Sequence, residues 1–154
     1  MTGFFYIYNA DKQKYLNHFL DTEKMKFIER SLGKFTKEIY SLMRIIIAVL
    51  FASHGAQKLF GILGAHAMHN PKFIVAGIIE FFGGIMIGLG FKTRIAAFIA
   101  SGEMAVAYFM VHYSRGFWPI MNGGEKAVFY CFVFLFIASY GPGSWSIDSL
   151  LKRK

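Results

Sequence analysis

The sequence predicts an all-α protein, a bundle of four transmembrane helices with an N-terminal amphipathic helix. Two observations lead to this prediction. Hydrophobic residues make up 55% of the 154-residue chain and charged residues only 17%, whereas soluble domains average roughly 45–50% and about 25%. The apolar residues are also concentrated in four runs, near residues 40–61, 73–91, 95–113 and 125–140. A bilayer is therefore a better solvent for this chain than water.

The first predicted element is a cytoplasmic leader, residues 1–38, which contains an amphipathic surface helix. Apolar residues recur there at spacings of three and four, with lysine and arginine on the other faces. These apolar positions are Met25, Ile28, Leu32, Phe35 and Ile39. The pattern is typical of a helix lying on anionic lipid, although charged helices of soluble proteins share it. The net charge of +8 lies in blocks between apolar runs, so we expect no nucleic-acid binding.

The remaining residues, 39–154, form the predicted transmembrane domain. A spanning helix needs about 17–25 residues. The second and third runs satisfy this, the first does so only if its polar residues are tolerated, and the fourth is short. Asn70-Pro71, Gly90 and Asn122-Gly123 are turn signals between the runs.

Most basic residues flank the ends that share a side with the N terminus, so the positive-inside rule places both termini in the cytoplasm. These flanking residues are Lys26, Arg30, Lys34, Lys37, Arg44, Lys92, Arg94, Lys152, Arg153 and Lys154.

Polar residues within the runs share helix faces with small residues. His54, Gln57 and Lys58 lie on one face of the first helix because their spacings are i, i+3 and i+4. Glu80 and Glu103 lie on the small-residue faces of the second and third helices, where helices pack closely. The predicted packing residues are Gly77, Gly83, Gly84, Gly88, Ala96 and Ala100.

At about 1.5 Å per residue, His54, Lys58 and Glu80 reach a similar depth in the half of the bundle away from the termini. Glu103 is expected deeper, near the midplane. The predicted intramembrane pocket comprises His54, Gln57, Lys58, Glu80, His112, Asn122 and Glu125. We expect His54 and Lys58 within hydrogen-bonding or ion-pair distance of Glu80. Intramembrane ionisable groups commonly mark functional sites, but a purely structural ion pair would place them in the same way.

No metal site and no resident cofactor are predicted. His66 and His69 are three residues apart in a loop, a spacing that matches no strong metal-binding pattern. Cys131 is the single cysteine, which excludes a C-x-x-C pair and a cysteine-ligated iron–sulfur cluster.

Four motifs together resemble the DoxX family of small bacterial membrane proteins. In chain order they are HGAQKLFG, GIIEFFGGIMIGLGFKTRIAA, GFWPIMNGGEKA and GPGSWSID, and the resemblance covers about residues 42–149. It implies four transmembrane helices in the bacterial cytoplasmic (inner) membrane. It further implies either quinone-linked oxidation of sulfur compounds or a role in a membrane complex that handles oxidative stress. No catalytic residue follows from it.

Three functions remain open at this stage. The first is a membrane oxidoreductase subunit that binds a quinone and exchanges electrons with a soluble oxidoreductase partner. The second is a non-catalytic anchor for a soluble partner. The third is a small transporter, which the absence of an inverted sequence repeat disfavours. The sequence does not define an oligomeric state.

Overall fold

The computed structural model of the chain describes residues 23–152, and these residues form helices and connecting turns without a strand. The chain divides into two units after Thr36, of which the structure describes residues 23–36 and 37–152. In the first unit, helix α1 covers Glu23–Lys34. Residues 1–22 of the predicted leader, and the tail residues Arg153 and Lys154, lie outside the described residues. Apolar side chains along α1, including Phe27, Ile28 and Leu32, are exposed.

The second unit contains the apolar helices. They are α2 (Thr36–Phe60), α3 (Pro71–Leu89), α4 (Thr93–Ala107), α5 (Pro119–Asn122), α6 (Glu125–Tyr140) and α7 (Ile147–Leu151). A π-helical turn, Tyr108–His112, and a 3₁₀ turn, Tyr113–Arg115, continue α4. Among the described residues, three helical segments are long and apolar enough to cross a membrane: α2, α3 and Thr93–Arg115. The fourth predicted span coincides with α6, whose 16 residues fall just below the length of about 17–25 that a span needs.

Local chemistry sets both ends of α3. The Asn70 side chain accepts a hydrogen bond from the backbone N–H of Lys72 at 3.0 Å, and Pro71 occupies the first turn, where no backbone donor is required. Gly90 stops the helix with a φ of 70°, a left-handed conformation that glycine adopts without steric cost. We call the two ends of the unit the Asn70 end and the Gly90 end.

Helices α2 and α3 cross in close contact at Gly84. A Cβ atom on Gly84 would lie 2.7 Å from the backbone nitrogen of Ala52 and 2.8 Å from the carbonyl oxygen of Ala48. The adjacent Gly83 is different, because its Cβ would meet only the Phe51 ring, at 4.0 Å. The structure therefore places Gly84, and not Gly83, at the predicted close approach.

The other predicted packing residues lie at helix contacts. A Cβ on Gly77 would touch the Leu59 side chain at 3.0 Å, and one on Gly88 would lie 3.4 Å from the Cβ of Ala48. Ala96 and Ala100 on α4 are buried in the core. Small residues thus allow the backbones of these helices to approach one another.

Arg44 ties α2 to the Gly90 end. Its guanidinium is fully buried and donates hydrogen bonds to the carbonyls of Ile87, Gly88 and Trp145. The sequence analysis counts Arg44 among the basic flanking residues, and the structure shows it buried between helices at the Gly90 end. The guanidinium fits because its fixed fork of donors matches the free carbonyls at the end of α3.

Asp148 caps α4 from a distant part of the chain. Its carboxylate accepts hydrogen bonds from the backbone N–H of Lys92 at 2.8 Å and from the N–H and hydroxyl of Thr93 at 2.9 and 2.8 Å. Burial alone would raise the pKa of Asp148, but these hydrogen bonds outweigh it and hold the pKa below its ordinary value. The GPGSWSID motif therefore fastens the Gly90 end.

Candidate functional site

A cavity of about 720 Å³ lies among α2, α3, α4 and α6, on the Asn70 side of the glycine crossing. Most of its lining is apolar, including Phe51, Met104 and Ala127. The polar and ionisable lining residues are His54, Lys58, Asn70, Lys72, Glu80, Glu103, His112, Lys126 and Tyr130. A cavity of this size and character is typical of a small-molecule site, in which few polar groups orient a largely apolar ligand.

Lys58 and Glu80 form an ion pair in the wall of this cavity. The Lys58 Nζ lies 2.5 Å from Glu80 Oε1, and Glu80 is only 2% exposed. The close crossing explains the contact, since Gly55, one turn before Lys58, packs directly on the α3 backbone at Phe81, beside Glu80. The structure thus places Lys58 and Glu80 at the ion-pair distance that the sequence predicts.

Two carboxylate oxygens in the cavity have no hydrogen-bond partner among the described residues, Oε2 of Glu80 and Oε2 of Glu103. Buried carboxylate oxygens without a partner are costly. An unpartnered pair in one cavity therefore indicates that a ligand or a proton completes it.

Glu103 lies in the same cavity as Glu80, whereas the sequence analysis places it deeper. Glu80 precedes Gly90 by ten residues and Glu103 follows Thr93 by ten residues. Both carboxylates are therefore about 15 Å from the turn that joins α3 to α4, at 1.5 Å per residue. The structure therefore places Glu80 and Glu103 at the same depth.

His54 lines the cavity, but within the described residues no hydrogen bond joins it to Glu80. Its ring instead meets the Tyr130 ring edge-on, with centroids 6.2 Å apart. The expected hydrogen bond between His54 and Glu80 is therefore absent. Tyr130 was missed because it lies in an unbroken apolar run, FYCFVFLF, where its hydroxyl gives no periodic signal.

His112 reaches the cavity from the π-helical turn. Its Nδ1 lies 3.3 Å from the carbonyl oxygen of Asn122. Such turns occur frequently at functional sites. In this chain the turn holds the His112 ring at the Asn70 end of the cavity.

The comparisons with known proteins identify the family. The DoxX family model matches residues 39–113. A protein of Haemophilus influenzae described as uncharacterized is 40% identical over 132 residues, which cover 80% of this chain and 98% of that one. The inner membrane protein YqjF of Escherichia coli K12 is 34% identical over 126 residues, or 72% of this chain and 90% of its own.

The chain belongs to the DoxX family. It is a membrane protein with helices that can span the bilayer. No solved structure matches it. The matched DoxX residues contain Lys58, Glu80 and Glu103, while Tyr130 and Asp148 lie beyond them.

Three predicted pocket residues do not line the cavity of this DoxX protein. Gln57 donates a hydrogen bond to the Leu63 carbonyl at 3.1 Å and so fixes the loop after α2. Asn122 is buried. Its side-chain NH₂ donates a hydrogen bond to the Gly116 carbonyl at 2.7 Å, and its Oδ1 accepts one from the N–H of Gly124 at 2.8 Å. Glu125 is exposed at the start of α6 and lines a neighbouring surface groove, which shares His54, Lys126 and Tyr130 with the cavity.

No group of three His, Cys, Asp or Glu side chains suited to a metal occurs in the part of the DoxX chain that the structure describes. His66 and His69 are exposed in the loop between α2 and α3. The chemistry that the cavity itself offers is hydrogen bonding and proton exchange, from Lys58, Glu80, Glu103, His54, His112 and Tyr130.

Proposed function

We propose that this DoxX protein is the quinone-binding subunit of a membrane-associated oxidoreductase or oxidative-stress complex. The observation that supports the proposal most is the Lys58–Glu80 pair in the wall of a largely apolar cavity of about 720 Å³. The volume lies within the range of roughly 300–1,000 Å³ that small-molecule sites occupy. The family resemblance, which implies quinone-linked oxidation or a role in an oxidative-stress complex, agrees with a quinone as the ligand but assigns it no residues.

In this proposal the polar residues have two roles, hydrogen bonding to the ring and proton exchange. Lys58 has donors beyond the one that Glu80 accepts, and these are free to bind a carbonyl oxygen of the ring. Glu80 and Glu103 each present an oxygen without a partner, so either can take up or release the proton that accompanies electron transfer. Electrons are exchanged with a soluble oxidoreductase partner, because the sequence carries no cysteine pair for redox chemistry.

We place the protein in the bacterial cytoplasmic membrane, as the name of the relative YqjF suggests. Helix α6 acts as the fourth span. Its 16 residues extend about 24 Å at 1.5 Å per residue, and the bilayer adapts to a mismatch of a few ångströms at modest cost. Both termini then lie in the cytoplasm. Reporter fusions test this, since phosphatase fused to either terminus should be inactive and a fluorescent protein fused there should be active.

Ligand binding is tested on protein in lipid nanodiscs with a short-tailed ubiquinone as the probe. We expect the quinone to raise the melting temperature of the wild-type protein. Lys58→Met should reduce this stabilisation because the donor to the ring carbonyl is lost. Lys92→Met is the matched control, because Lys92 is exposed at the Gly90 end, away from the cavity. A wild-type protein that quinone does not stabilise would contradict the proposal.

One observation supports the anchor function as a second candidate. Helix α1 exposes Phe27 at 72% and Leu32 at 58%, beside several basic residues. If the protein is an anchor, α1 and the basic C-terminal tail bind a soluble partner. Deleting residues 1–38 should then abolish recovery of the partner in a pull-down, whereas a double substitution of His54 and Glu80 should not.

A further inference from the structure

The cavity reaches the lipid-facing surface on one side. Its floor is enclosed, with Glu80 2% and Met104 6% exposed. Other lining residues are among the exposed side chains of the unit: Val75 is 57% exposed, and Val106 and Met110 are each 55% exposed. All three are apolar, and in the membrane they contact hydrocarbon. The cavity therefore runs from a polar floor to an apolar opening between α3 and α4.

Two alanines lie at the same height in this opening. Ala76 precedes Gly90 by 14 residues and Ala107 follows Thr93 by 14 residues. Both are therefore about 21 Å from the turn that joins the two helices. Each also lines the cavity and is directly preceded in sequence by an exposed valine, Val75 or Val106. Their methyl groups are the smallest side chains that leave a gap between two antiparallel helices without the backbone cost of glycine.

The alanines also stand directly beside the two carboxylates. Ala76 is one turn from Glu80 on α3, and Ala107 is one turn from Glu103 on α4. One turn is about 5.4 Å, which is close to the length of a quinone ring. A ring held at Glu80 therefore has its substituent level with the alanines.

We propose that Ala76 and Ala107 form a slot through which the hydrocarbon tail of the bound ligand leaves the cavity and enters the bilayer. This inference rests on the proposed function and specifies its ligand as an amphipathic molecule with a polar ring and an apolar tail. The ring occupies the space beside Lys58 and Glu80, and the tail contacts Val75, Val106 and the surrounding lipid. A tail in this position never leaves an apolar environment, so its hydrophobic transfer free energy is retained on binding.

The test compares two probes that carry the same ring, a short-tailed ubiquinone and its analogue without a tail. Both are titrated onto nanodisc protein, and affinity is taken from ligand-dependent melting. The variants Ala76→Phe and Ala107→Phe fill the slot. The control is Gly102→Phe, which adds the same ring on α4 at an exposed position where a Cβ meets nothing within 4 Å. Melting of each variant without ligand confirms that it is folded.

We expect each slot variant to weaken binding of the tailed quinone at least tenfold and to change binding of the tailless ring less than threefold. The control should bind both probes as the wild type does. Equal losses for the two probes, or no loss for either, would overturn the slot while leaving the proposed function in place. Should the wild-type protein bind neither probe, the proposed function fails, and the slot fails with it. If a slot variant does not fold, the smaller substitutions Ala76→Leu and Ala107→Leu give the same comparison.

Discussion

An alanine at Gly84 is expected to destabilise the bundle, whereas an alanine at the adjacent Gly83 is not. The added methyl group on Gly84 would lie 2.7 and 2.8 Å from backbone atoms of Ala52 and Ala48. Backbone cannot rotate away as a side chain can, so α2 and α3 must separate by roughly half an ångström or more to restore ordinary contact. At Gly83 the methyl group would only meet a ring at 4.0 Å.

The size of the effect follows from two opposing contributions. Overpacking of a close contact costs about 1–3 kcal/mol, and replacing glycine by alanine inside a helix recovers up to about 1 kcal/mol. With about 2 kcal/mol for the first contribution and about 1 kcal/mol for the second, Gly84→Ala should lower the free energy of unfolding by about 1 kcal/mol. Gly83→Ala should leave it unchanged or raise it by up to about 1 kcal/mol, since only the second contribution applies.

Unfolding of both variants in mixed detergent micelles, followed by circular dichroism as the denaturing detergent is increased, measures this difference directly. Each substitution adds one methyl group to α3, so the effects of the two substitutions on micelle binding cancel in the comparison. Equal stabilities of Gly83→Ala and Gly84→Ala would refute the close crossing of α2 and α3.

Three further predictions concern charged residues. Lys58→Met or Glu80→Gln alone should lower the free energy of unfolding by about 3 kcal/mol, because the partner is left without its counter-charge. The double variant should lower it by less than the sum of the two single effects. A double-mutant cycle in detergent measures this difference. Asp148→Asn should lower the free energy of unfolding by about 1 kcal/mol because it weakens the cap on α4. The pKa of Asp148 is lowered in the folded protein, so this stabilisation is fully present at neutral pH and is lost as the pH falls through that lowered pKa. The unfolding curves of the wild type and Asp148→Asn should therefore converge in acid. Arg44→Lys should lower the free energy of unfolding by about 2 kcal/mol, because two separate guanidinium nitrogens bind the carbonyls of Ile87 and Trp145 and the single nitrogen of an ammonium leaves one of them unsatisfied. A melting temperature equal to that of the wild type would contradict this account of Arg44.

Sequence periodicity predicted the parts of the site that lie on long helices. Lys58 and Glu80 were placed together because helical rise fixes depth and small residues fix the facing side. Gln57 shares the face of Lys58, but it lies close enough to the end of α2 that a loop carbonyl is within reach of its amide. Periodicity cannot anticipate such an alternative partner.

Residues near helix ends were predicted less well. Asn122 is turned inward by a tight turn whose shape depends on Gly123, with a φ of 74°, and neighbouring side chains do not reveal that conformation. Arg44 resembles any basic residue at the start of an apolar run, and its carbonyl partners lie 43 to 101 positions away in sequence. Contacts over such separations are set by the packing of whole helices, which a single sequence does not display.

The fastening of the Gly90 end has a consequence for biogenesis. Arg44 depends on Trp145, and the start of α4 depends on Asp148, yet translation delivers both partners after α2, α3 and α4 have left the ribosome. These helices therefore enter the membrane with one end of the bundle still unfastened, and the Arg44 guanidinium must be solvated by water or lipid headgroups in the meantime. The Gly90 end can close only after residues 145–148 have been synthesised, so a nascent chain stalled before residue 145 would lack both of these contacts.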